Sequence, residues 1–127
     1  MSKSPGHQKM PDHKVREEQL HQSLEVAVEG VVVASANSAV KVEEDGYPAR
    51  YYFAPSDVTM DKLESPDTTT QCPFKGTASY YDLKLGERRL KDAVWTYRDP
   101  YDEHLALKDR LAFYDDKFPE IRIRPKA

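Results

Sequence analysis

The chain has a single cysteine among its 127 residues. That excludes an intramolecular disulfide and a cysteine-rich zinc site alike. No apolar run is long enough to cross a bilayer, and the N-terminus lacks the apolar segment of a signal peptide. Lys and Arg number 19 against 22 Asp and Glu, a net charge of −3, so no basic excess is available to hold a nucleic-acid backbone. There is no GxxxxGK[ST] loop and no glycine-rich strand-to-helix turn. The four histidines, His7, His13, His21 and His104, have no metal-ligand spacing. The expectation is a soluble, cytoplasmic domain with no metal and no cofactor, partnered by neither nucleic acid nor membrane.

What is present reads as strands. Met1 to His13 has almost nothing to bury, so residues 1–21 are expected to form a disordered or frayed tail that adds little stability. Residues 22–127 are expected to form one β-rich domain, a size that buries roughly two-thirds of its unfolded surface. Leu24, Val26 and Val28 alternate with glutamates, Gly30 permits a turn, and Val31 to Ser35 is a continuous apolar run. Val40-Lys41-Val42-Glu43 alternates again, and Arg50 to Phe53 is an aromatic strand. Ala78 to Leu85 and Leu90 to Tyr97 flank a Gly86-Glu87-Arg88 turn, and Leu111 to Tyr114 and Ile121 to Arg124 complete the set. Short helices are expected over Val58 to Leu63, closed by Ser65-Pro66-Asp67, and from Asp99-Pro100 to about Asp109. The predicted fold is a small, mainly antiparallel β domain with two short helices.

The segment Thr68 to Gly76 concentrates the chemistry. Threonines favour a strand, Cys72-Pro73 stops the ladder, and Lys75-Gly76 reads as the reversing turn, so a thiol and an amine are held at a strand end. Together with Gly46-Tyr47-Pro48, Tyr51-Tyr52-Phe53, Asp57-Val58, Ala93 to Tyr97 and Ala112-Phe113-Tyr114, this segment resembles the family known as domain of unknown function 427. The resemblance covers about Leu24 to Tyr114. It implies a small β-rich domain akin to the β-tent group, in a metal-free version because that group's zinc takes four cysteines. The family also carries a provisional nucleotidyltransferase label.

Candidate site residues follow from residue type. Trp95 and Tyr97 share a strand face on which Tyr52 and Tyr80 can converge, giving an aromatic-walled pocket for a small planar ligand, or ordinary core packing. Lys75, with Arg50 beside it, would supply positive charge for an anionic group, and Thr70 a hydroxyl. Cys72 next to Lys75 reads either as an activated thiolate or as an inert packed thiol. Nucleotidyl transfer would need acidic residues holding Mg²⁺, for which Asp57 with Asp61, Asp99 with Asp102, and Asp115-Asp116 qualify by composition only. The favoured expectation is a small-molecule ligand bound by Arg50, Tyr52, Thr70, Cys72, Lys75, Tyr80, Trp95 and Tyr97. The alternatives are an enzyme using Cys72 or metal-assisted phosphoryl chemistry, and an interaction module that recruits a partner through exposed strand edges.

Overall fold

Alternation along the chain becomes three antiparallel sheets in the structure, a computed structural model that describes residues 3–65 and 68–126. The strands are β1 (Val15–Leu20), β2 (Leu24–Val28), β3 (Val31–Ala36), β4 (Ala39–Glu44), β5 (Arg50–Tyr52) and β6 (Leu63–Glu64). They continue with β7 (Thr69–Cys72), β8 (Gly76–Leu85), β9 (Arg88–Tyr97), β10 (Leu111–Phe113) and β11 (Ile121–Pro125). The sheets run β1-β4-β5, β10-β9-β8-β6 with β7 beside β8, and β11-β2-β3. Phe53 and Leu111 exchange two backbone hydrogen bonds of 2.8 Å, which stitch the first sheet to the second. The domain is mainly β, as expected.

Because successive side chains on a strand point to opposite faces, β9 serves two cores at once. Val94 joins Phe53, Leu83, Leu111 and Phe113 in the larger cluster, whereas Trp95 and Tyr97 join Tyr52, Val42 and Leu107 in the smaller one. Cross-strand register sets Tyr80 opposite Trp95 and Ala78 opposite Tyr97, so β8 contributes to the same smaller cluster. The β7–β8 hairpin reverses at Pro73-Phe74-Lys75, and Gly76 closes it with φ of +119°, a conformation that a side chain strains. A Cβ there would also lie 3.3 Å from the Asp99 carbonyl, which ties this turn to the chain entering the last helical stretch.

Two expectations need correction. Val15–Leu20 is no part of a frayed tail: it pairs with all of β4, Val15 opposite Glu44 and Leu20 opposite Ala39. Before it, Pro5–Lys9 forms a short helix, α1, capped by Ser4 and begun by Pro5. The tail expected over residues 1–21 therefore packs across most of its described length. The helical stretches elsewhere are 3₁₀ turns at Pro55–Asp57, Met60–Lys62 and Asp102–Leu107, the last kinked at His104. Of the predicted Ser65-Pro66-Asp67 turn, Pro66 and Asp67 lie outside the described residues.

Candidate functional site

A cavity of about 480 Å³ opens between the first two sheets. All eight residues singled out by sequence line it: Arg50 and Tyr52 from β5, Thr70 and Cys72 from β7, Lys75 from the turn, Tyr80 from β8, and Trp95 and Tyr97 from β9. Strand order explains the convergence. β9 lies beside β8, which lies beside β7, while β5 reaches them through the Phe53–Leu111 stitch.

The polar end of the cavity centres on Lys75, which is buried at 6% exposure. Its ammonium donates to the Glu44 carboxylate, and its Nζ lies 3.9 Å from Cys72 Sγ. The other oxygen of Glu44 is 3.0 Å from His13 Nε2. Burial pushes the Glu44 carboxyl up, but the hydrogen bonds from Lys75 and His13 outweigh it and hold the group below its ordinary range. Lys75 is thus not the free cation expected from sequence, because an ionised carboxylate compensates it.

Arg50 has a comparable history. Its guanidinium makes a two-pronged contact with Asp116, of 2.7 and 3.2 Å, and sits 5.2 Å from the ring centres of both Trp95 and Tyr114. The hydrogen bond from Arg50 holds Asp116 below the usual carboxylate range, while burial pushes Asp115 up. Asp116 is therefore the counter-ion. Arg50 works as a plate against two neighbouring aromatic rings rather than as a free anion-binding group.

Trp95 is 6% exposed, with Tyr114 at 4.7 Å between ring centres and Tyr52 edge-on at 6.2 Å. Its Nε1 donates to the Tyr52 hydroxyl at 3.1 Å. Its ring is so fully engaged that it forms a wall, and less of it is open to stacking than sequence suggested. Tyr80 is half-buried and shares a 3.0 Å hydrogen bond with Thr70. Tyr97 is also 6% exposed, and its hydroxyl has no hydrogen-bond partner among the described residues. Burial raises both the Tyr52 and Tyr97 phenols far above their ordinary range, so both keep their protons throughout the physiological span.

Several lining residues escaped the sequence reading. Glu44 carried a signal: continuing the period of Val40 and Val42 puts it on their buried face. Tyr114 likewise follows Ala112 onto the Trp95 side of β10. Met10 and His13 had none, since the segment containing them docks by polar contacts. Ser4 Oγ donates to the Pro73 carbonyl at 2.6 Å, Gly6 N donates to the same oxygen at 2.8 Å, and Ser4 N donates to Glu103 at 2.9 Å. His13 stacks on Phe74 with ring centres 4.3 Å apart. His7 Nε2 lies 2.8 Å from His104 Nε2, and His104 Nδ1 bonds Glu17. Because a carboxylate oxygen accepts, His104 donates from Nδ1 to Glu17, which fixes the orientation of its ring. The segment from Ser4 to His13 is a strap along one wall of the cavity.

Among the described residues, no group of three or more His, Cys, Asp or Glu side chains is placed to hold a metal ion. Nor is any helix among them long and apolar enough to cross a membrane. No curated protein matches the chain. Residues 16–123 match a family model described as domain of unknown function 427. That span takes in β1 to the middle of β11, including every strand of the cavity wall, and the chain belongs to this family.

Proposed function

We propose that this is a ligand-binding domain whose natural ligand is a small planar molecule held in the aromatic cavity. The observation that carries the reading is the cavity itself: about 480 Å³, walled by Tyr80, Trp95 and Tyr97, with Lys75, Glu44 and Cys72 gathered at one end. Apolar walls with a few convergent polar groups suit recognition of a flat molecule with one polar edge. Trp95 is the only tryptophan, so its emission reports the site directly. Titration with a panel of small aromatic and heterocyclic compounds is expected to change that emission saturably for at least one. Tyr80→Ala is expected to weaken the same response, because a half-buried ring is lost from the wall. A panel that leaves the emission flat throughout overturns the reading and favours an interaction module.

The enzyme reading keeps one supporting observation, the 3.9 Å between Lys75 Nζ and Cys72 Sγ inside the same cavity. The test is the rate of alkylation by iodoacetamide at neutral pH, in the intact chain and in Lys75→Met. A rate no faster than that of free cysteine, unchanged by the substitution, removes Cys72 from consideration. Metal-assisted nucleotidyl transfer has less support, since the acidic pairs named from sequence do not gather into a site.

A further inference from the structure

The hydrogen-bonding inventory of the cavity is lopsided, and the imbalance narrows the chemistry of what fits. An ammonium carries three protons. Those of Lys75 have two protein contacts among the described residues, Glu44 and the weak acceptor Cys72. The Tyr52 hydroxyl oxygen accepts from Trp95, and its own proton has no acceptor among the described residues. Tyr97 is 6% exposed as a residue and lines the cavity, and its hydroxyl has no protein hydrogen-bond partner among the described residues. On the acceptor side, both Glu44 oxygens are already engaged, one by Lys75 and one by His13. The side-chain oxygen of Gln71 accepts from Thr77 at 2.6 Å. Among these groups spare donors therefore outnumber spare acceptors, and a ligand that covers them without accepting leaves donors unmade, which is costly.

Charge then separates two kinds of acceptor. A carboxylate or phosphate would satisfy the donors, but each cation of the cavity already has its counter-ion, Glu44 for Lys75 and Asp116 for Arg50. An added anion would enter a buried site beside an ionised carboxylate with no uncompensated positive charge to meet it. A neutral carbonyl oxygen accepts the same hydrogen bonds without that penalty. Resting on the pocket reading above, we infer that the cavity selects neutral planar molecules bearing a carbonyl acceptor, such as aromatic amides and lactams. The oxygen points toward Lys75, Tyr52 and Tyr97, and the ring lies along the aromatic wall.

The experiment is calorimetric titration of the full chain with three probes built on one ring: benzamide, benzoate and benzylammonium. Benzamide is expected to bind at least about tenfold more tightly than either charged analogue, the size of effect that one misplaced buried charge or unmade hydrogen bond produces. Tyr97→Phe keeps the ring and removes only the hydroxyl, so benzamide is expected to weaken about three- to tenfold while the fold is retained. Glu44→Gln leaves Lys75 uncompensated, and is expected to shift preference toward benzoate by about tenfold or more. Benzoate binding more tightly than benzamide to the unaltered chain overturns the inference and leaves the pocket reading standing. So does equal binding of all three probes, or a Tyr97→Phe variant indistinguishable from the parent. Absence of binding by any probe, together with a flat response of Trp95 to the wider panel, removes the pocket reading and this inference with it.

Discussion

Gly6→Ala isolates the strap from the rest of the domain. An ideal Cβ at Gly6 would lie 2.7 Å from the Pro73 carbonyl oxygen, 2.8 Å from its carbon and 2.8 Å from Phe74 Cδ1. Two of those three neighbours are backbone, so no rotamer change relieves the overlap. Forcing one extra carbon into a packed contact costs about 1–3 kcal/mol. Opposing this are the strap's hydrogen bonds, Gly6 N and Ser4 Oγ to Pro73, Ser4 N to Glu103, and His7 to His104. Each is worth about 0.5–1.5 kcal/mol net, and the first cannot survive the added carbon. The docked and undocked states of the strap therefore come close to balance, while the two hydrophobic clusters, which contain no residue before Val15, are untouched. Amide hydrogen exchange is expected to show lost protection at Gly6 and Met10, whose amides bond Pro73 and Gly6, with β8 and β9 unchanged. The melting temperature is expected to fall by several degrees, at roughly 3–6 °C per kcal/mol for a domain of this size. Deleting residues 1–13 should lower it at least as far, the opposite of what a frayed tail would do. Retained protection at Gly6 with an unchanged melting temperature would refute the docking argument.

Three further outcomes follow from other parts of the molecule. Phe113 is 1% exposed and meets Phe53 edge-on at 6.0 Å, so Phe113→Ala is expected to cost about 3–5 kcal/mol in urea denaturation; a loss under about 1 kcal/mol would contradict its core position. Arg50→Lys gives up the two-pronged contact with Asp116 and the guanidinium plate, and is expected to cost about 1–2 kcal/mol with a red shift of Trp95 emission; unchanged emission would mean that the plate does not shield the indole. Acid acts first on the strap. Burial, then the neighbouring His104, lower His7 below its ordinary 6.5 against the pull of Glu103, with His13 and Lys75 acting in the same lowering direction. The undocked strap thus takes up a proton more readily, and docking weakens as pH falls below about 6.5 toward the depressed value. Glu44, held below 4.5, keeps its contribution through that range and loses it only as pH falls through its own depressed value. Exchange of the strap amides followed against pH checks the order; simultaneous loss of strap and cavity wall would contradict it.

Strands built from apolar alternation or continuous apolar runs were legible from sequence. β2, β8, β9 and β10 lie where those patterns put them, and the hairpin turns at Gly30 and Gly86 sit where glycine was needed. β9 and β10 are nonetheless buried on both faces where they meet the two clusters, and β8 shifts register between Tyr81 and Leu83. The cavity wall was legible for the same reason, because Trp95 and Tyr97 share one face of β9 and the hairpin end fixes Cys72 and Lys75 nearby. β1 was not. Its VREEQL sequence has two apolar residues in six, and its exposure alternates only weakly, since the strand gains its place from pairing with β4 rather than from burial. α1 was missed for a related reason, although Ser4-Pro5 is a sound helix start: five residues make no amphipathic face, and docking rests on backbone and hydroxyl contacts.

The electrostatics of the site were the least legible part, and one register position shows why. Composition presents Lys75 and Arg50 as two cations near a cluster of rings, which suggests an anion. Pairing reverses that. Glu44 ends β4, a strand far from Lys75 in sequence, and it reaches the ammonium only because the turn after Cys72 folds against the C-terminal end of β4. Asp116 reaches Arg50 from a loop 66 residues away. Long-range pairs of this kind leave no trace in local periodicity, yet they decide whether a buried amine attracts a charged ligand or serves only as a hydrogen-bond donor. The inward-facing period of Val40, Val42 and Glu44 was the one local hint. A carboxylate on the buried face of a strand has to find a cation or neutralise itself, and among the described residues the only buried lysine is the one it meets.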